Sequence, residues 1–234
     1  MNVILKIMLY SYIGGFPIIL GGLLSWYLQP KKIKYKKQIN HWFIAFAGGA
    51  LISAIAFALV PKGLSVLKVT QLAVIFLGGT FSFMLLDLLI ARVGKSLGIV
   101  ISMLMDFLPE ALALGATFAY NHKFGLLLAV FIGIQNFPEG FASYLELNKT
   151  MRKGATLLLM FALSFLGIIS ALLGHFFLSS HPVVVDTVML YAAGGIMYLV
   201  FHDIVPATGE NKEWIPAIGA SLGFVIGMIG EKLL

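Results

Sequence analysis

Two short motifs in this chain place oxygen-bearing side chains at the same spacing around a proline. They occupy Asp106–Glu110 and Gln135–Glu139, and in each the first residue is followed by proline at i+3 and glutamate at i+4. In a helix, residues four apart lie on one face, so each motif presents two oxygen-bearing side chains side by side. Carboxylate and amide oxygens are ligands for hard and borderline metal cations, and carboxylates also carry protons.

The prolines in these motifs add a second source of oxygen. A proline has no N–H to donate to the carbonyl four residues earlier, so Pro109 frees the carbonyl of Met105 and Pro138 frees that of Ile134. We expect each helix to kink at its proline and to present a bare carbonyl beside its carboxylate.

The composition around these motifs is that of a membrane protein. The chain has 234 residues, of which 60% are apolar and 11% are charged, whereas an ordinary soluble domain has about 25% charged residues. A water-soluble enzyme is thereby excluded. The net charge of +6 does not indicate nucleic acid, because five basic residues lie in one run, Lys31–Lys37, beside an apolar segment. There is no cysteine, which excludes disulfides and thiolate metal sites.

Eight apolar segments can each cross a bilayer, which takes roughly 20 residues per helix. We predict an all-α, polytopic membrane protein in which residues 1–234 form a single transmembrane transporter domain. The predicted spans are 3–28, 41–61, 70–91, 97–120, 124–147, 154–178, 183–205 and 213–232.

Charge in the loops predicts the orientation. The loops after spans 1, 3, 5 and 7 carry eleven Lys and Arg residues, and those after spans 2, 4 and 6 carry three. By the positive-inside rule the first set is cytoplasmic, so both termini lie outside. We expect a multi-pass protein of the plasma membrane, or of the inner membrane if the source is bacterial.

Spans 2 and 7 share a pattern that indicates internal repetition. Span 2 contains Ala47-Gly48-Gly49 and ends at Val60-Pro61, and span 7 contains Ala193-Gly194-Gly195 and ends at Val205-Pro206. Inverted halves of this kind are common in transporters. We therefore predict a 3+2+3 arrangement, in which spans 1–3 and 6–8 are inverted-repeat halves that flank spans 4 and 5.

Spans 4 and 5 are adjacent and antiparallel in this topology, so the two motifs meet near the middle of the membrane. An ionised side chain there costs about 2.5–3.5 kcal/mol, and three carboxylates cannot all stay charged without a partner. Either protons or a captured cation must neutralise them. The candidate metal ligands are Asp106, Glu110, Gln135, Asn136 and Glu139.

At these residues the sequence resembles the ZIP (Zrt/Irt-like protein) family of divalent metal transporters. Gln135–Gly140 is similar to a variant of the motif that this family carries on its fifth span, and Ala193–Pro206 is similar to its seventh span. The resemblance implies eight spans, both termini outside, a metal site on spans 4 and 5, and a homodimer.

The resemblance also has departures. Asp106 and Phe107 stand where the family has His and Asn, Ala111 replaces the usual Gly, and Gly167 stands where members can carry a metal-binding Glu. The family pattern then implies one metal held mainly by oxygen. Exchange of imidazole for carboxylate relaxes the preference for zinc and favours harder ions such as Mn²⁺.

Three further polar residues fall near the cytoplasmic ends of spans 3 and 7. His202, Asp203 and Asp87 could form an exit route for metal, or they could form a hydrogen-bonded cluster at the membrane interface. Both interpretations stay open from the sequence.

The function predicted from these observations is transport of a divalent metal ion (zinc, manganese, iron or cadmium) toward the cytoplasm. We expect no enzyme activity, no organic cofactor and no nucleic-acid partner; the partners are the lipid bilayer, the metal ion and a second copy of the chain. The alternatives are a proton-coupled transporter of another small cation or solute, and a homologue that does not transport.

Overall fold

The eight predicted spans all form helices. The computed structural model describes residues 2–31, 34–90, 95–118, 121–208 and 214–233, and 90% of these residues are helical, with no strand among them. Within these residues, eight helices are long and apolar enough to cross a membrane. The prediction of an all-α chain with eight helices capable of spanning a bilayer is thereby confirmed. Three of the charges that predict the orientation, Lys32, Arg92 and Lys212, lie outside the described residues.

The bounds agree with the sequence except in span 2, which begins earlier and ends later than predicted. The eight spans are Val3–Leu28, Lys36–Val66, Val69–Ile90, Lys95–Phe118, His122–Leu147, Lys153–Leu178, Pro182–Ala207 and Trp214–Leu233. Span 2 continues past Pro61 because this proline lies in the first turn of the helical segment Val60–Val66, where a missing N–H breaks no helical bond.

Spans 1 and 6 are each interrupted near the middle. Span 1 consists of Val3–Gly15 and Pro17–Leu28, and the break at Phe16 is followed at once by a proline. Span 6 consists of Lys153–Leu163 and Leu166–Leu173, which then continues into a π-helical turn, Gly174–Leu178. These interruptions occur in the spans that the repeat hypothesis pairs with each other.

Spans 2 and 7 share a different irregularity, a π-helical turn immediately before a Val-Pro pair. The turns are Ile55–Leu59 and Val200–Ile204, and each is closed by a hydrogen bond from the N–H of the following valine to the carbonyl five residues earlier. Wide turns of this type often mark functional positions in helices. Both precede a proline that cannot donate, so the same local cause accounts for both.

Glycines allow the spans to approach backbone to backbone. Span 2 packs on span 8, where Gly49 faces the carbonyl of Ala220, and span 7 packs on span 3, where Gly194 faces the carbonyl of Phe76. A Cβ atom at either glycine would collide with that carbonyl. Span 5 packs in the same way on span 1, and span 4 packs on span 6. Close packing through small residues is the usual means of association for helices in lipid.

Candidate metal centre

Spans 4 and 5 run antiparallel and bring the two motifs together. Along this interface Phe118 lies against Gly125, Gln135 hydrogen-bonds Glu110, and the carboxyl group of Asp106 lies within hydrogen-bonding reach of that of Glu139. Residue numbers therefore increase along span 5 as they decrease along the facing side of span 4, as antiparallel helices require. The sequence predicts this convergence, and the geometry agrees with it.

The side chains of this site are removed from solvent. Asp106 is 4% exposed, Glu110 is 2% exposed and Gln135 is fully buried, whereas Glu139 is partly buried. One oxygen on each of three residues is fully shielded and has no hydrogen-bond partner in the described part of the chain: Oε1 of Glu110, Oε1 of Gln135 and Oε1 of Glu139. All three are acceptors, and a buried polar atom without a partner costs about 1–3 kcal/mol. Such a set suits a bound cation.

The charges at the site are not balanced by basic groups. The three carboxylates act electrostatically on one another, and no Lys or Arg among the described residues is in contact with any of them. Two like unit charges about 4 Å apart repel by roughly 4 kcal/mol at an effective dielectric constant of 20. Three ionised carboxylates therefore require a cation, and in its absence protons must neutralise them.

Gln135 and Asp106 have bonds that fix their side chains in place. Gln135 donates its amide N–H to Oε2 of Glu110, which leaves the amide oxygen free to face a ligand. Oδ1 of Asp106 accepts the N–H of Phe107 at 2.8 Å. Both bonds orient an oxygen before any cation arrives.

Asn136 differs from its neighbours in the motif. Its amide Nδ2 donates to the carbonyl oxygen of Gly14 in span 1 at 2.8 Å, and the residue is 1% exposed. This bond joins span 5 to span 1 just before the break at Phe16. The structure thus gives Asn136 a tethering contact that the sequence does not predict, and its role as a ligand stays a prediction.

The helices continue through both prolines. Pro109 lies inside Lys95–Phe118 and Pro138 lies inside His122–Leu147. The missing N–H groups leave the carbonyls of Met105 and Ile134 without their usual helical donors. The predicted kinks stay a prediction.

An aromatic ring fills the space on the side of the site toward spans 1 and 6. Phe107 is 1% exposed, and a Cβ atom added at Gly167 or Gly15 would meet its ring. Phe107 and Gly167 are the two positions where the ZIP pattern would have further ligands. In this chain a phenyl ring packs against glycine there, so that side of the site offers no oxygen from either residue.

A second group of polar residues joins the ends of spans 3 and 7. One ligand atom each of Asp87, His202 and Asp203 lies within 4.8 Å of the others, and His202 Nδ1 is 2.9 Å from Asp203 Oδ1 and 3.5 Å from Asp87 Oδ2. Tyr198 donates to Asp87 at 3.1 Å, and its ring stacks on the imidazole of His202. Tyr198 was not predicted to belong to this cluster, although its i, i+4 spacing from His202 is the signal that would have included it.

Comparison of the chain with protein-family models and with curated proteins finds no match. The functional interpretation therefore depends on the geometry of the site and on the motif resemblance.

Proposed function

We propose that this protein transports a divalent metal ion across a membrane, and that the ion binds to the acid site between spans 4 and 5. The observation that carries the proposal is the set of three buried, unpartnered acceptor oxygens on Glu110, Gln135 and Glu139. They lie beside carboxylates that no basic side chain in the described residues neutralises. A divalent cation satisfies both the oxygens and the charge.

The ligand set in this proposal consists of oxygen only. Asp106, Glu110, Gln135 and Glu139 supply the ligands, and Asn136 mainly holds span 5 against span 1. An oxygen site favours harder ions, so Mn²⁺ or Fe²⁺ is preferred relative to a histidine-containing site, and Zn²⁺ and Cd²⁺ stay within the range. Ligating carboxylates must be deprotonated, so metal affinity falls as the pH falls. The ring of Phe107 is consistent with a single ion.

The proposed architecture is the 3+2+3 arrangement with both termini outside. Its support is the equivalence of the contacts in the two halves: span 2 packs on span 8 as span 7 packs on span 3, and span 1 packs on span 5 as span 6 packs on span 4. The matched π-helical turns and mid-span breaks point to the same repeat. Inverted repeats of this kind permit alternating access.

In this mechanism the ion enters between the outer ends of spans 2, 4, 5 and 7 and loses water at the acid site. It leaves toward the cytoplasm past Asp87, His202 and Asp203. Spans 4 and 5 move against the flanking helices during this step.

Three further statements belong to the same proposal: the protein is a ZIP-like transporter, it forms a homodimer, and it resides in the plasma membrane.

The experiment that tests the function is uptake of ⁵⁴Mn²⁺ or ⁶⁵Zn²⁺ by proteoliposomes. Glu110→Gln and Glu139→Gln keep side-chain size and remove charge, and both are expected to abolish uptake. Glu146→Gln is the matched control, because Glu146 is exposed on the same span and pairs with the exposed Lys149 at 2.6 Å. Unchanged uptake in both site variants would remove the proposed site.

The same assay distinguishes metal transport from the main alternative, proton-coupled transport of another solute. If the acids serve as a proton relay for another solute, the purified protein will transport no metal and added Mn²⁺ will not compete with that solute. A protein that binds metal without transporting it would indicate a sensor or structural homologue.

A further inference from the structure

Spans 1 and 5 run parallel to each other and are in contact along their length. The residue pairs that touch show which positions of the two helices lie at the same level. Gly14 lies against Ile132, and a Cβ atom at Gly14 would be 3.0 Å from the Ile132 side chain. Further along, Gly140 faces the carbonyl of Ile18 and Gly21 faces the backbone of Phe141. Residue numbers increase in the same direction along both helices. One turn further on, Ser25 of span 1 is therefore at the level of Tyr144 of span 5.

Both of these side chains are completely buried, yet their hydroxyl groups have no partner. Ser25 and Tyr144 are each 0% exposed, and neither Ser25 Oγ nor Tyr144 OH has a hydrogen-bond partner in the described part of the chain. One turn beyond Ser25, Nε2 of Gln29 is likewise shielded and unpartnered. By the register of the two helices, these three polar atoms belong to the facing sides of spans 1 and 5, near the end of both helices.

Two buried hydroxyls in spans 4 and 6 are satisfied within their own helix. Thr117 donates to the carbonyl of Ala113 at 2.7 Å, and Ser164 donates to that of Met160 at 3.0 Å. Ser25 makes no such bond. Leaving a buried hydroxyl unsatisfied costs about 1–3 kcal/mol, and internal waters that join two to four polar groups are the usual way to avoid that cost.

We propose that Ser25, Tyr144 and Gln29 bind a short chain of internal water molecules between spans 1 and 5. Ser143, one turn beyond Glu139 and 8% exposed, connects this chain to the acid site. The waters then form a solvent path from the acid site to the end of the bundle at Leu28 and Leu147, separate from the Asp87–His202–Asp203 cluster. Its use for water released by an arriving ion depends on the proposed function, whereas the waters themselves do not.

The test is hydroxyl-radical footprinting of the full-length protein in detergent, with H₂¹⁸O and mass spectrometry. Radicals formed from bound water label nearby side chains even where bulk solvent is excluded. We expect strong labelling of Tyr144 and weak labelling of Phe141, an aromatic residue one turn earlier on the same span that is also 0% exposed. Ser25→Leu removes the hydroxyl and occupies the space of the proposed waters, and Tyr144 labelling should then fall to the level of Phe141.

Two controls keep the result interpretable. Ser11→Ala removes a buried, unpartnered serine on the outer half of the same span and should leave Tyr144 labelling unchanged. If Ser25→Leu does not fold, Ser25→Ala is used instead, and the expected result is a partial loss of labelling.

Labelling of Tyr144 no stronger than that of Phe141 in the unmodified protein would overturn the proposal. Equal labelling of Tyr144 with and without Ser25 would overturn the shared water site. Glu139→Gln is expected to retain Tyr144 labelling while it loses metal uptake, so failure of the water chain and failure of the transport proposal give different results.

Discussion

Two groups of acidic side chains in this protein differ in whether their oxygens have hydrogen-bond partners. At the acid site, Glu110 and Gln135 are buried and each has an acceptor oxygen without a partner. In the Asp87–His202–Asp203 cluster, the acids are bonded to an imidazole and a tyrosine hydroxyl, and His202 and Asp203 are exposed. The first group needs protons or a cation to neutralise it, whereas the second is satisfied by hydrogen bonds among its own members.

This difference teaches that proximity of ligating residues is a weaker indicator of a metal site than unsatisfied buried oxygen. Exposed clusters of acidic residues and histidine gain little from an ion because water already solvates them. Buried acids without a basic partner lack this solvation and must take up either protons or a cation. We therefore place the main binding step at the acid site and give the cluster a transient role in release.

The largest expected effect comes from removing both glutamate charges at the acid site. Glu110→Gln combined with Glu139→Gln should lower metal affinity by more than the roughly 10–100-fold that loss of a supporting partner costs, because both residues are proposed ligands. Isothermal titration calorimetry with Mn²⁺ and Zn²⁺ measures this. Wild-type affinity in the double variant would show that the acid site is not the main metal site of the two groups.

A smaller effect is expected for Asp106. Asp106→Asn keeps an oxygen near the ion and removes one negative charge, so affinity should fall about tenfold, which corresponds to about 1.4 kcal/mol. Because the repulsion from Glu110 and Glu139 also decreases, the variant without metal should be more stable than the wild type. Thermal unfolding in excess chelator checks the second expectation, and a lower Tm there would contradict the account of unbalanced charge.

Asn136→Ala should change stability more than binding. It removes the bond to the Gly14 carbonyl and leaves that contact unsatisfied, which costs about 1–3 kcal/mol. In a chain of this size 1 kcal/mol corresponds to roughly 2–4 °C in Tm. Thermal unfolding and metal titration of the same preparation separate the two effects, and a large loss of affinity with unchanged Tm would restore Asn136 to the ligand set.

The smallest effect is expected for His202→Ala. Exposed ion pairs contribute about 0–1 kcal/mol, so both Tm and equilibrium metal affinity should stay close to the wild-type values. Any effect should appear in the rate of release, measured as metal efflux from preloaded proteoliposomes. A loss of equilibrium affinity as large as that of the Glu110 and Glu139 variants would show that the cluster is the main site.

The sequence was sufficient to predict the eight helices and the meeting of Asp106, Glu110, Gln135 and Glu139. Long apolar runs and i, i+4 spacing are local signals that can be recognised in the sequence. Because spans 4 and 5 are neighbours in the chain and run antiparallel, their two motifs are expected at the same depth, which predicts a shared site. The amide of Asn136 could not be assigned in this way, because its partner carbonyl at Gly14 is 122 residues away in the chain.

Other features depended on packing between distant spans. The contact between Phe107 and Gly167 and the level of Ser25 against Tyr144 follow from the register of spans 6 and 1 with their neighbours, which no local pattern encodes. The length of span 2 was underestimated because a proline in a first turn resembles a helix terminator in sequence.

The most direct test of the acid site is the anomalous diffraction of crystals soaked in Mn²⁺ or Zn²⁺. The account predicts a peak between spans 4 and 5, bonded to oxygens of Glu110, Gln135 and Glu139 at about 2.0–2.2 Å for zinc. A peak only at Asp87, His202 and Asp203, with the oxygens of Glu110 and Glu139 unbound at saturating metal, would contradict it.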